Sequence, residues 1–168
     1  VIARGAGIYV EDESGKRYIE GLAGLWCTAL GWGEERLVAA ATRQLQTLAF
    51  GHAFAGRATE PAAELAEKLV GIAPHAPSGP MSKAFFVNSG SEANDTQVKI
   101  VWHYNNILGR PKKKKIVARK RAYHGVTVAA GSMTGMTYVT DGFDLPIDRF
   151  IHTDCPHHWR FANPGESE

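Results

Sequence analysis

Apolar and polar positions alternate with different periods along this chain, and each change of period marks a change of element. Ile8-Tyr9-Val10 and Arg17-Tyr18-Ile19-Glu20 flank a polar stretch containing Gly15, the pattern of two short strands joined as an N-terminal hairpin. Gly21 to Gly33 carries four glycines among Leu22, Leu25, Trp26, Cys27 and Leu30, too many for a regular element, so it reads as an apolar loop. From Glu35 to Leu48 the period becomes helical: Leu37, Val38, Ala41, Leu45 and Leu48 recur three and four apart, with Arg43, Gln44 and Gln46 off the stripe. Thr59-Glu60-Pro61 opens a second helix whose buried face is Leu65, Leu69 and Val70, and Pro74, Pro77, Gly79 and Pro80 end it. Ala84-Phe85-Phe86-Val87 predicts a buried strand, Ser91 to Leu108 a helix closed by Gly109 and Pro111, and Ile116-Val117-Ala118 a second strand. Tyr123-His124-Gly125 then reads as a turn, Val126 to Ala130 as a short apolar segment, and the region from Asp154 on as polar and broken by Pro156, Pro164 and Gly165. Strand, helix, strand and turn in this order predict an α/β fold with a parallel sheet. There is no internal repeat.

Composition narrows the class. With 44% apolar and 21% charged residues over 168 positions, the chain is an ordinary folded domain by content. A net charge of +2 does not by itself call for a nucleic-acid or membrane partner. Two cysteines, Cys27 and Cys155, cannot build a disulfide-dense scaffold, which points to a reducing compartment, taken as the cytoplasm. Val1 to Gly7 lacks an initiator Met and has no signal-peptide pattern, so the chain is expected to begin inside a longer protein. No apolar run reaches the roughly 20 residues that span a bilayer.

The chemistry concentrates where the Phe85 strand meets the next helix. Ser89-Gly90-Ser91-Glu92 has the form of a capping box, Ser89 accepting from the N–H of Glu92 and Glu92 reaching back to that of Ser89. Gly90 permits close approach of backbone to a ligand, Ser91 adds a hydroxyl, and the first N–H groups with the positive end of the helix dipole suit an anion such as phosphate. On spacing alone, an ordinary capped helix with no ligand is the commoner use of such a sequence.

The longer stretch is more specific. Phe85-Phe86-Val87-Asn88-Ser89-Gly90-Ser91-Glu92-Ala93-Asn94-Asp95 closely resembles the cofactor-phosphate segment of class III aminotransferases, in the fold type I group of pyridoxal-phosphate enzymes. The resemblance implies that Ser89, Gly90 and Ser91 hold the phosphate of pyridoxal 5'-phosphate, and that Glu92 joins the hydrogen-bond network near the aspartate of the pyridine ring. Downstream, Arg121-Ala122-Tyr123-His124-Gly125 resembles the family's aromatic stacking motif, with Tyr123 against the pyridine face and His124 beside it. In isolation those residues would be an ordinary surface or core tyrosine and its neighbours. Gly21 to Cys27 resembles the loop that puts an aromatic into the substrate pocket, which implies that Trp26 lines it; a buried structural tryptophan is the alternative. Phe54 matches more loosely, packs equally well as a core residue, and is left outside the assigned set.

By that resemblance the fold is the N-terminal part of a fold type I transferase. Residues 1–50 form the N-terminal segment of hairpin, Gly-rich loop and helix, and residues 51–168 the first part of the large cofactor-binding domain with its mostly parallel sheet. The implied activity of the intact enzyme is ping-pong transfer of an amino group from an ω-amino acid or amine to a keto acid such as pyruvate, by a homodimer. One departure limits this. The family's Schiff-base lysine and pyridine-nitrogen aspartate lie downstream of the tyrosine motif, whereas the last lysine here is Lys120 and none of Asp141, Asp144, Asp148 or Asp154 ends an apolar strand. The chain is therefore expected to be an inactive fragment with no catalytic residue of its own. A decarboxylase, racemase or aminomutase on the same fold, or a non-enzymatic module binding a phosphorylated ligand, would share the motifs seen.

Two patterns invite other readings. Lys112 to Lys115 with Arg119, Lys120 and Arg121 place seven basic residues in ten, yet they join a helix end to a strand, where lysines complement the helix dipole, and no nucleic acid is expected. His152, Asp154, Cys155, His157 and His158 could ligate a metal, but the spacing matches no zinc pattern and a solvated loop is expected.

Overall fold

In the computed structural model, which describes residues 1–75 and 77–167, the N-terminal hairpin gains a third strand. β1 (Ile2–Ala6) pairs antiparallel with β2 (Tyr9–Asp12), and β2 with β3 (Arg17–Ile19). Val10 on the central strand is the buried hydrophobic of this sheet. The first strand carries Ala3, Arg4 and Gly5, which have no β-branched or alternating character, so nothing local announces it. The Gly-rich loop is more regular than its composition predicts. Ala23–Trp26 (α1) forms one turn with φ of 48° at Ala23, 61° at Gly24, 60° at Leu25 and 74° at Trp26, the left-handed region throughout. The loop is tied to the sheet where Gly7 and Trp32 exchange N–H to carbonyl bonds of 2.9 and 2.8 Å. α2 (Glu35–Thr47) and α3 (Glu60–Ile72) follow, completing the compact unit Val1–Lys83.

The second unit, Ala84–Glu168, is a small α/β layer. Its elements are α4 (Gly90–Ile107), β4 (Ile116–Arg119), α5 (Val128–Met133), α6 (Thr137–Thr140), β5 (Phe150–Thr153) and α7 (His158–Phe161). β4 and β5 are parallel, in register from Ile116 opposite Phe150 to Arg119 opposite Thr153. Val98 of α4, Ala118 of β4, Ala130 and Met133 of α5 and Phe150 of β5 form the core, with Trp102, Ile116 and Ala129 packed against it. Trp102 and Phe150 meet with ring centroids 6.5 Å apart. Burying Phe150 contributes on the order of 2 kcal/mol. The basic run lies beyond α4, whose last turn holds no basic residue, and folds back onto the helix instead of capping it: Lys114 Nζ donates to the carbonyl of Trp102 at 2.7 Å, while Trp102 Nε1 donates to the carbonyl of Lys114 at 2.9 Å.

The parallel α/β order holds, and five local expectations change. Ala84 to Val87 forms no strand among the described residues, and Phe85 is 73% exposed, because no neighbouring strand in this chain pairs with its backbone. The apolar stripes of α2 and α3 are present, but neither helix has a buried residue. Of the segment Val126 to Ala130, the last three residues are the first turn of α5, and β5 adds a strand in a stretch that sequence reading left unassigned. α3, grouped from sequence with the second part of the chain, lies within the first compact unit.

Candidate functional site

The N-terminus of α4 has the geometry its sequence requires. Ser89 is extended, at φ −151° and ψ 159°, and its Oγ accepts from the N–H of Glu92 at 3.2 Å. The Glu92 carboxylate reaches back one residue further than the usual capping box, accepting from the N–H of Asn88 at 2.8 Å and bracing the approach to the helix. Among the described residues no acceptor meets the N–H groups of Gly90 and Ser91. The space beside Gly90 is open, with nothing within 4 Å of where a Cβ would stand. Ser91 Oγ accepts from the N–H of Val126 at 3.1 Å, which leaves its hydroxyl proton to donate elsewhere. N–H groups without a partner among the described residues, a spare hydroxyl proton and the positive end of an 18-residue helix are chemistry that suits an anion.

The same helix holds the tyrosine motif. Asn94 Nδ2 donates to the carbonyl of His124 at 2.7 Å. Asp95 Oδ1 accepts from the Thr127 hydroxyl at 2.7 Å and from the N–H of Ala130 at 3.0 Å, so a side chain of α4 caps the start of α5. Tyr123 lies beyond the carboxyl end of β4, where open parallel sheets collect their ligands, and stays 57% exposed. Structure thus joins two motifs that are separate in sequence, through Ser91, Asn94 and Asp95.

Trp26 belongs to the first unit and is 84% exposed, so it is not a buried structural tryptophan. Three residues with side chains, Ala23, Leu25 and Trp26, adopt left-handed backbone there, at a cost of about 1–2 kcal/mol each. Glu20 offsets part of this. Its two carboxylate oxygens accept from the N–H groups of Leu22 at 2.9 Å and Gly24 at 2.6 Å, cupping the turn from its start. The candidate metal cluster is not assembled: Asp154 pairs with Lys120 at 2.6 Å, and His152 Nε2 lies 3.1 Å from the carbonyl of Met133. Among the described residues no three potential ligands group together.

Comparison with known proteins decides the family. The class III aminotransferase family model matches residues 1–166. The chain belongs to the class III aminotransferases. Among relatives of this family, the chain is 55% identical over its whole length to gamma aminobutyrate transaminase 3, chloroplastic, of Solanum lycopersicum, covering 32% of that protein. It is 54% identical to the mitochondrial gamma-aminobutyrate transaminase 1 of Oryza sativa subsp. japonica and 52% identical to the vanillin aminotransferase of Capsicum annuum, covering 32% and 36% of them. A solved omega transaminase from Pseudomonas jessenii, in complex with PMP, superposes with a TM-score of 0.94 at 56% identity, over 99% of this chain and 36% of that one. This chain therefore spans about a third of the length of the class III aminotransferases it matches.

These class III relatives correct the cellular location. The cytoplasmic expectation rested on unpaired cysteines, and relatives matching over the whole chain are chloroplastic and mitochondrial proteins. Free thiols report a reducing environment, which several compartments share, so cysteine count could not choose among them. Sequence reading also missed the residues that hold the motifs: Glu20, Asn94, Asp95 and Thr134. Asn94 and Asp95 stood inside the quoted motif, and their helical spacing from Ser91, three and four positions on, was a usable signal that all three face one side. Glu20 and Thr134 carried no signal that local pattern could reveal.

Proposed function

We propose that this chain carries the phosphate turn and the ring-stacking loop of a pyridoxal-phosphate-dependent transaminase. The intact protein moves an amino group from an ω-amino acid or terminal amine to a keto acid such as pyruvate. The observation that carries this reading is the start of α4, where among the described residues the N–H groups of Gly90 and Ser91 have no acceptor, the space beside Gly90 is open, and Ser91 ties the turn to the Tyr123 loop. These residues fit a phosphate.

Bound pyridoxal phosphate supplies an aldehyde that takes up an amine and a pyridine ring that withdraws electrons from it. The residues of this chain bind and orient. Ser89, Gly90 and Ser91 hold the phosphate through backbone N–H groups and hydroxyls, and Tyr123 presents its ring to one face of the pyridine, with His124 beside it. Glu92, already holding the Asn88 N–H with one oxygen, has a second oxygen free for the network around the ring nitrogen. The proton-shuttling lysine and the ring-nitrogen aspartate belong to parts of the enzyme outside these 168 residues, whose last lysine is Lys120.

Trp26 lines the donor pocket. Support comes from Pseudomonas jessenii omega transaminase variants described as engineered for synthesis of enantiopure bulky amines: one replaces a tryptophan with glycine, and another also changes a phenylalanine 28 positions further on. Trp26 and Phe54 stand 28 positions apart here, the same spacing, which supports reading Phe54 as a second aromatic of that pocket. Gamma-aminobutyrate, named by one relative, carries its amine on a terminal carbon, and vanillin, named by another, is an aldehyde, the carbonyl counterpart of a terminal amine. The intact enzyme is a homodimer in this reading, and the uncovered apolar faces of α2 and α3 supply surface that a second copy or the rest of the chain would bury.

The test is borohydride reduction of the intact protein loaded with pyridoxal phosphate, followed by peptide mapping. The expected adduct lies on one lysine outside residues 1–168, and Tyr123→Ala weakens cofactor binding about tenfold, the value of one lost aromatic stack. An intact protein that forms no reducible adduct overturns the assignment.

A further inference from the structure

We propose that Thr134 and Gly135 form a clip that fixes the Tyr123 loop, and that Thr134 is a positioning residue for the ring that meets the cofactor. This rests on the reading above, in which Tyr123 faces pyridoxal phosphate.

Thr134 ends α5 and is 1% exposed, among the largest fully buried side chains of the protein. A buried hydroxyl must spend its hydrogen bonds on specific partners. Thr134 Oγ1 accepts from the N–H of His124 at 3.0 Å, and its single proton goes to the carbonyl of Gly125 at 2.9 Å, with the carbonyl of Ala130 further off at 3.3 Å. Gly135 continues the pattern through its backbone. Its carbonyl accepts from the N–H of Arg121 at 2.7 Å and its N–H donates to the carbonyl of Ala122 at 2.8 Å. Two consecutive residues thus bind four backbone groups, two before Tyr123 and two after it. Among the described residues the N–H and carbonyl of Tyr123 itself take no part.

The bound residues include the strained Arg121 and Gly125, whose backbone only glycine adopts freely. Arg121 has φ 68° and Gly125 φ 126°, both in the region that side chains disfavour, and the clip bonds each of them. Gly135 is required by proximity, since a Cβ there would collide with the carbonyl oxygen of Arg119 and lie 2.7 Å from Lys120 Cα and 2.8 Å from Arg121 N, all backbone. Gly125 is closed in as well, since a Cβ there would collide with Ser91 Oγ and lie 2.9 Å from Ala130 Cβ. A loop with a side-chain-bearing residue held in left-handed backbone before its aromatic keeps one conformation only when its surroundings over-determine it. Thr134-Gly135 supplies that on one side, and Asn94 and Asp95 supply it on the other. A loop fixed before the cofactor arrives loses no further freedom on binding, so the whole of the stacking interaction appears as affinity.

The experiment uses the intact enzyme stripped of cofactor. Thr134→Val keeps the shape and removes both hydroxyl bonds, Thr134→Ser keeps the hydroxyl, and each is combined with Tyr123→Ala. Pyridoxal phosphate is titrated by absorbance, and the circular dichroism of the bound cofactor reports its orientation. Thr134→Val is expected to weaken binding about tenfold and reduce the dichroism per bound cofactor, Thr134→Ser to restore both, and Thr134→Val to add less than about twofold once Tyr123 is alanine. Equal losses in both Tyr123 backgrounds, or wild-type binding by Thr134→Val, overturn the clip. If Thr134→Val does not fold, hydrogen exchange across residues 121–125 in the Thr134→Ser apoenzyme is compared with Thr134→Ala. The clip requires faster exchange in the alanine variant, and equal rates overturn it. A wild-type apoenzyme that binds no pyridoxal phosphate overturns the cofactor reading instead.

Discussion

Asp12 organises the β2–β3 turn with one half-buried side chain. Its Oδ1 accepts from the Ser14 hydroxyl at 2.6 Å, the Ser14 N–H at 2.9 Å and the Lys16 N–H at 3.0 Å, while Oδ2 accepts from the Tyr18 hydroxyl at 2.8 Å. Hydrogen bonds first from the Ser14 side chain and then from Tyr18 favour the charged form and lower its pKa from the ordinary 3.8 to about 2. The bond to Asp12 raises the Tyr18 phenol for the same reason seen from the donor. Because the folded value lies below the unfolded one, the carboxylate's support for the turn is fully present above about pH 4 and is lost as pH falls through about 2. Carboxyl chemical shifts followed by NMR titration are expected to give a midpoint near 2 for Asp12, and a midpoint near 4 would show that these bonds do not form in solution. The turn's polar composition was legible in sequence. That one aspartate carries four of its bonds was not, since Ser14, Lys16 and Tyr18 converge only once the hairpin closes. Glu20 and the left-handed turn before Trp26 repeat the lesson next to the proposed donor pocket.

At the scale of elements, α4 does three things from its first turns: it ends in free N–H groups, it caps itself through Ser89, and it caps α5 through Asp95. Thr127, at the N-cap position of α5, makes no cap of its own and donates its hydroxyl to Asp95 instead. The two caps differ in what their loss exposes. Ser89→Ala removes one local acceptor at an exposed helix start and is expected to cost about 1 kcal/mol. Asp95→Ala strands the Thr127 hydroxyl and the Ala130 N–H in a half-buried joint and is expected to cost about 2–3 kcal/mol. Urea unfolding of the intact protein measures both, and an equal cost for the two variants would mean that Asp95 does not join α4 to α5. The local cap was readable from Ser89 and Glu92. The tertiary cap was not, because Asp95 and Ala130 are 35 residues apart and neither makes a pattern with its neighbours.

The whole molecule is two compact units with modest cores and broad uncovered apolar faces. Leu37, Val38 and Leu45 on α2 of the first unit, and Phe85, Ile100 and Ile107 of the second, are all exposed, apolar side chains of the kind that interfaces cover. Produced alone, the 168 residues are expected to bind the dye ANS and to sediment as oligomers; a monodisperse species that leaves the dye dark would contradict the exposed faces described here. The same uncovered stripes show where sequence and structure divide. The amino-acid sequence by itself determined what depends on near neighbours: the helical periods of α2, α3 and α4, the Ser89 cap, the parallel α/β order, and a motif long enough to identify the class III aminotransferases. Tertiary structure alone decided what depends on distant partners. Ser91 meets Val126, Asp95 meets Ala130, and Thr134 meets His124 and Gly125 across separations that no local period encodes. Phe85-Phe86-Val87 fails to become a strand for the complementary reason: β-structure is completed by a neighbour, and its sequence cannot supply one.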